Sequence, residues 1–249
     1  MKLGLIGKKL SHSFSKQYFE KKFESLKTHN FTYDLWEIDK IENIRKFIES
    51  KKNVLGFNVT IPYKTDIIQY LDIVSDEVKE IGACNCVLIK NNQWIGFNTD
   101  WWGFMKMIEN KLEPHHHSAM ILGTGGSAKA VSYALKKLHI PFIFVSRKLQ
   151  PHLSNQCITY DQLHPQHFLK YPIIINTTPL GMFPDTSSMP PIPINFIYEK
   201  NFVIDIIYNP EKTLLLQKAN EKKAKTLNGL EMLHLQAEKS WYIWQEIND

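Results

Sequence analysis

The sequence predicts an α/β fold of two domains with mostly parallel sheets. Three observations carry this. Apolar runs of strand length alternate with stretches of helical periodicity from the first residues onward. A glycine-rich turn stands between a strand and a helix in mid-chain, and after Asn228-Gly229 the alternation gives way to one long helix.

Taken in order, Lys2 to Ile6 reads as a strand ending at Gly7, and Ser15 to Leu26 sets Tyr18, Phe19, Phe23 and Leu26 on a helical stripe. Phe31 to Ile38 is rich in β-formers, Ile41 to Glu49 has one helical apolar face, and Val54 to Ile61 is a strand stopped by Pro62. Asp76 to Ile81 predicts a short helix. Cys84 to Ile89 and Trp94 to Phe97 flank Asn91-Asn92, a hairpin turn signal. Trp102 to Leu112 is helical. Ala119 to Leu122 is a strand, followed by a helix over 128–138. Phe142 to Val145, Ile173 to Ile175 and Phe202 to Ile206 are further strands, with Pro184 to Pro193 an extended loop and a last helix from Leu230 to Ile247. The pattern divides the chain into a domain of residues 1–100, completed by the C-terminal helix 230–249, and a second of residues 101–229.

Composition sets the limits. The chain has 249 residues, 43% of them hydrophobic and 22% charged, which is globular. No apolar run approaches the ~20 residues needed to span a bilayer, and the N-terminal apolar stretch is too short for a signal peptide. Three cysteines leave one unpaired, which favours a reducing, cytoplasmic setting. The net charge of +5 is dispersed. Lys21-Lys22 and Lys222-Lys223-Ala224-Lys225 read as solvated helix faces, so the expected partner is a small molecule, with no nucleic acid and no membrane. Monomer and homodimer both stay open.

Gly123-Thr124-Gly125-Gly126-Ser127-Ala128 follows a strand and opens a helix, matching the G-x-G-x-x-G/A dinucleotide fingerprint in its proper context. Gly123 permits the tight turn, Gly125 the approach of a pyrophosphate, and Ala128 close packing of helix on strand, with phosphates at the helix N-terminus. The next strand ends in Ser146-Arg147-Lys148. An NAD site wants an acid there for the ribose hydroxyls. Arg147 instead suits the extra phosphate of NADP, so NADP is the expected cofactor.

Polar groups stand at the strand ends of the first domain: Ser13 and Ser15 after strand one, Asn58, Thr60 and Lys64 around the end of strand three, and Asn98-Thr99-Asp100 after the hairpin. With them the chain resembles the shikimate dehydrogenase family. His12-Ser13-Phe14-Ser15 is similar to its H-S-x-S segment, and Gly56 to Lys64 to its specific G-x-N-V-T-x-P-x-K motif. Gly82-Ala83-Cys84-Asn85 and Asn98-Thr99-Asp100 follow in the expected order. Asn176 to Met182 resembles N-A-T-P-x-G-M, Asp205 to Pro210 resembles D-x-x-Y-N-P, and Gly229 to Leu233 with Gln236 resembles the final G-x-x-M-L-x-x-Q.

The resemblance implies NADPH-linked reduction of 3-dehydroshikimate to shikimate in aromatic amino acid biosynthesis, by an enzyme with no metal and an active site in the cleft between two domains. It implies Ser13 and Ser15 on the substrate carboxylate, and Asn58, Thr60, Asn85 and Gln236 on its ring oxygens. Lys64 and Asp100 would form the catalytic pair, and Tyr208, Gly229 and Met232 would line the substrate–nicotinamide junction. Thr177, Thr178, Pro179 and Ile206 would lie along the cofactor. The chemistry suits these types: hydride loss from a carbinol needs an escort for the hydroxyl proton, which an amine can relay, and a carboxylate beside it favours the charged form that donates to the alkoxide in the reductive direction.

The chain departs from the family pattern at Lys16, Cys86 and Ser146, and at Trp101-Trp102 beside Asp100, where a bulky indole would narrow the pocket or stiffen a hinge. His115-His116-His117 lacks acid or cysteine partners at ligand spacing and reads as a solvated linker, and His12 as shaping the serine turn. Two alternatives remain. One is a quinate/shikimate dehydrogenase preferring NAD, against which the missing acid near Arg147 argues. The other is a non-catalytic NADP-binding sensor, against which the retained Lys64 and Asp100 argue.

Overall fold

The computed structural model describes residues 1–10, 13–150, 153 and 156–246. The chain forms two compact units, Met1–Thr99 with Gln236–Asp249, and Asp100–Leu235. The division falls inside the last helix rather than at its start.

The first unit opens with β1 (Lys2–Gly7), α1 (Ser15–Ser25), β2 (Thr32–Glu37), α2 (Ile44–Glu49) and β3 (Val54–Val59). It continues through β4 (Ile73–Val74), α3 (Asp76–Ile81), β5 (Cys86–Lys90) and β6 (Gln93–Phe97). Its sheet runs β2-β1-β3-β5-β6-β4, parallel except where β5 pairs antiparallel with β3 and β6. The β5–β6 turn is built as the sequence requires, with Asn91 and Asn92 both at positive φ (51° and 62°), the pair a tight hairpin turn demands.

Period-two alternation splits β1 between two cores: Leu3 and Leu5 pack with Phe19, Phe23, Trp241 and Trp244, whereas Ile6 packs with Ile44, Ile48 and Val78. Trp244 is buried and its indole N–H donates to the Val87 carbonyl at 3.0 Å. The C-terminal helix α8 (Leu230–Trp244) thus supplies part of this unit's core.

The second unit holds α4 (Asp100–Ile108), β7 (Ala119–Leu122), α5 (Gly126–Lys137), β8 (Phe142–Ser146) and β9 (Cys157–Thr159). There follow α6 (Pro165–Lys170), β10 (Ile173–Asn176), β11 (Phe202–Asp205), α7 (Leu214–Glu221) and β12 (Lys225–Asn228). All six strands are parallel in the order β12-β11-β10-β7-β8-β9. Numbered within the unit this is 3-2-1-4-5-6 read from the far edge, the doubly wound dinucleotide-binding order, whose ligand crevice lies at the carboxyl ends of β7 and β10.

Two expectations need correction. His116 is buried, not solvated: its Nδ1 accepts from the Glu113 N–H at 3.0 Å and its ring packs on Phe202, which holds its pKa below the usual histidine value through desolvation. Lys225 lies on strand β12, not a helix face, and bonds the Lys111 carbonyl and the Glu113 carboxylate. No helix among the described residues is long and apolar enough to cross a membrane.

Candidate functional site

In the second unit, β7 ends at Leu122, and Gly123 turns the chain at φ +106°. A β-carbon at Gly123 would stand 2.9 Å from the Thr177 hydroxyl, so glycine is required on two counts. That hydroxyl donates to the Leu122 carbonyl at 2.6 Å, pinning the start of the 177–182 loop to the end of β7. A β-carbon at Gly125 would meet nothing, so the turn faces open space just where α5 begins with its unsatisfied N–H groups. Gly126 and Ser127 form the first turn of α5, Thr124 lies before it, and buried Ala128 packs in the core. These features fit a pyrophosphate.

Arg147 and Lys148 are exposed directly beyond β8, the neighbour of β7. Burial pushes the Tyr160 phenol up to about 12, with the nearby Arg147 charge opposing the shift. Ser146 is buried and donates its hydroxyl to the Lys148 carbonyl, so it shapes the turn that presents Arg147.

The 177–182 loop is ordered from behind. Asn176 Oδ1 accepts from the Thr178 N–H (2.9 Å) and hydroxyl (2.7 Å), and Asn176 Nδ2 donates to Asp205 at 3.0 Å. Pro179 is exposed at the loop tip. Asp205 is fully buried. It also accepts from the Ile207 N–H and the Thr213 hydroxyl, yet desolvation outweighs these bonds and raises its pKa to about 6. Ile206 and Tyr208 follow half-buried, the Tyr208 phenol raised by burial. Gly229 touches the Ile206 backbone so closely that a β-carbon would lie 1.9 Å from its carbonyl oxygen. Met232 is buried in the unit's core.

In the first unit three of the candidate side chains, Asn58, Asn85 and Gln236, belong to one connected set. Asn58 is buried at the end of β3. Its Nδ2 donates to the Asn85 carbonyl (3.1 Å) and the Ser240 hydroxyl (2.9 Å), while its Oδ1 accepts from the Tyr33 hydroxyl (2.9 Å). Asn85 brackets Thr99: Oδ1 accepts from the Thr99 N–H at 2.6 Å and Nδ2 donates to its hydroxyl at 3.0 Å. The Thr99 hydroxyl also lies 3.3 Å from Gln236 Oε1 and 3.2 Å from the Ser240 hydroxyl.

Ser13 and Ser15 are half-buried at the start of α1, where Ser13 Oγ accepts from the Ser15 N–H. Thr60 and Lys64 are half-buried beyond β3. Asp100 is buried in the first turn of α4, where a carboxylate suits the helix dipole. His12 lies outside the described residues.

Trp101 packs edge-on against Tyr133 of α5 with ring centres 5.1 Å apart, which anchors the indole on its own unit. Among the described residues no group of three or more His, Cys, Asp or Glu side chains can hold a metal ion. A concavity beyond β2, lined by Glu37, Asp39, Lys40 and Phe47, contains none of the candidate residues. Sequence reasoning missed Tyr33 and Ser240 as members of the polar set, and named Thr99 only within the Asn98-Thr99-Asp100 turn. A polar Ser240 amid Ala237, Trp241 and Trp244 on the apolar face of α8 was the available signal.

Fold and fingerprint define a two-unit α/β protein with a dinucleotide-binding sheet. Residues 5–87 match the family model described as the shikimate dehydrogenase substrate binding domain. The chain is 41% identical to the shikimate dehydrogenase (NADP(+)) of Clostridium beijerinckii over 98% of its length and 91% of that protein. Its fold is similar to a chorismate mutase/shikimate 5-dehydrogenase fusion from Clostridium acetobutylicum, at a TM-score of 0.88 and 34% identity, covering 100% of this chain and 92% of that one. It is also similar to shikimate 5-dehydrogenase from Thermus thermophilus, solved with NADP(H) and shikimate, at a TM-score of 0.88 and 27% identity, covering 99% and 94%. The chain belongs to the shikimate dehydrogenase family.

Proposed function

We propose that this chain interconverts 3-dehydroshikimate and shikimate with NADP as cofactor, the first unit holding the substrate and the second the cofactor. One observation carries the reading: Asn58, Asn85 and Gln236, the positions the resemblance names for the ring oxygens, belong to a single polar network in the first unit. Such a set of fixed amides and hydroxyls suits a polyhydroxylated ring, because an analogue lacking a hydroxyl leaves buried groups unpaired.

Ser13 and Ser15 donate to the substrate carboxylate. Lys64 is the proton carrier: in the reductive direction it donates to the developing alkoxide, and in reverse it takes the hydroxyl proton. Asp100 is the second member of the catalytic pair. NADP, when bound, supplies or accepts the hydride. The Gly123–Ala128 turn receives its pyrophosphate and Arg147, between Ser146 and Lys148, its 2′-phosphate; Thr177, Thr178, Pro179 and Ile206 lie along it, and Gly229 and Met232 lie at its nicotinamide end. Buried, unpaired Cys84, Cys86 and Cys157 suit a cytoplasmic enzyme.

The test is absorbance at the reduced-nicotinamide band with shikimate or quinate, each paired with NADP⁺ or NAD⁺. Fast reduction only with shikimate and NADP⁺ is expected. Preference for quinate or NAD⁺ would overturn the substrate or cofactor assignment. NADP binding without turnover in any pairing would favour a sensor.

A further inference from the structure

Asn58 can be oriented without ambiguity. Its Nδ2 faces the Asn85 carbonyl at 3.1 Å, and that oxygen can only accept, so a flipped amide would set two acceptors against each other. Both amide protons are then committed, one to Asn85 and one to Ser240. The Ser240 hydroxyl gives its single proton to the Gln236 carbonyl at 2.9 Å, so toward Asn58 it is purely an acceptor. On the other side Tyr33 donates to Asn58 Oδ1, and the Ser15 hydroxyl lies within hydrogen-bonding reach of the Tyr33 oxygen. Tyr33 and Ser240 are themselves buried, at 2% and 0% exposure, and stay clear of solvent competition.

We infer that Tyr33 and Ser240 are positioning residues for substrate binding. They clamp Asn58 from both sides so that its amide offers a ligand only the remaining lone pair of Oδ1. This rests on the reading that Asn58 faces the substrate. An amide locked in this sense accepts from a ring hydroxyl and offers no donor to a carbonyl, which makes Asn58 a reader of hydroxyl rather than keto oxygen at the position it faces. The same two residues link Ser15, Asn58 and Gln236 into one unit, so the carboxylate end and the ring end of the substrate site are held in a common register.

The test is steady-state kinetics of the full chain and of Ser240→Ala and Tyr33→Phe, each losing one oxygen from an opposite side of Asn58. Loss of one such bond is expected to raise the KM for shikimate roughly five- to tenfold, with kcat and the KM for NADP⁺ within about twofold. The double variant should show less than the product of the single effects, because both act through one amide. Should Ser240→Ala prove insoluble, Tyr33→Phe reads the same clamp alone. Unchanged shikimate KM in the soluble variants, or equal rises for shikimate and NADP⁺, would overturn the positioning role while leaving the enzymatic function intact. Absence of turnover by the unmodified chain would instead overturn the function, and the clamp with it.

Discussion

The Thr213 hydroxyl donates to the Asp205 carboxylate at 2.7 Å, and the same oxygen accepts from the Leu216 N–H to cap α7. One side chain therefore ties the end of β11 to the helix that follows, and Asp205 passes the constraint through Asn176 to the 177–182 loop.

Burial raises Asp205 from 3.8 to about 6. The folded state thus holds this proton more tightly than the unfolded one, so stability falls as pH rises from about 4 to about 6 and is flat above. The contribution is on the order of 2–3 kcal/mol. Urea denaturation of the wild type and Asp205→Asn at pH 4.5 and 7.5 checks it. The wild type should lose ground relative to the variant at the higher pH, and parallel behaviour would exclude the titration.

His116 has the opposite sign. Its pKa is lowered by burial, so the folded state resists its protonation, and stability present above the ordinary histidine value is lost as pH falls through it. His116→Gln retains an acceptor for the Glu113 N–H but does not titrate. Melting curves at pH 7.5 and 5.5 should show a larger acid-side drop in Tm for the wild type.

The proton-carrier role predicts that Lys64→Ala lowers kcat by about 10²–10⁴-fold. Asp100→Asn should lower it as well. Shikimate-dependent kcat near the wild-type value in either variant would exclude the pair.

Arg147→Ala removes the proposed grip on the 2′-phosphate. A charge-assisted contact of roughly 1.5–3 kcal/mol corresponds to a rise of about ten- to a hundredfold in the KM for NADP⁺. The KM for NAD⁺ should barely change, and equal effects on both cofactors would argue against the assignment.

Trp244 packs against Phe19 and Tyr33 and bonds Val87. Trp244→Ala should cost about 3–5 kcal/mol of stability, read by urea denaturation. A loss under 1 kcal/mol would contradict the burial described.

Much of the fold was legible because its strands are short and strongly apolar and the tight turn between β5 and β6 carries Asn-Asn. What escaped was at the edges. Strand β4 has only Ile73 and Val74, and strand β12 reads Lys-Thr-Leu-Asn, half-buried throughout, so neither makes an apolar run. Helix α7 begins Leu214-Leu215-Leu216, whose continuous apolarity masks its period.

Candidate residues were legible where type and spacing are fixed by motif, as at Asn58 and Gly123. Tyr33 shows the limit: on the page it is one β-former among several, and its hydroxyl gains meaning only when β2 brings it beside Asn58. Ser146 shows another, since its hydroxyl turns inward to Lys148, which no pattern announces.

The first unit is discontinuous, with its core completed by Trp241 and Trp244 from beyond the second unit in sequence. On the ribosome the residues that need these two indoles are made more than 200 residues before them. The second unit, a single unbroken stretch from Asp100 to Leu235, has its whole sequence available earlier. Because domains fold as units during synthesis, the order of maturation runs against the order of translation: the later-made unit can close while the earlier-made one waits, and a nascent chain stalled before residue 241 leaves Phe19, Phe23 and Tyr33 with an unfilled face.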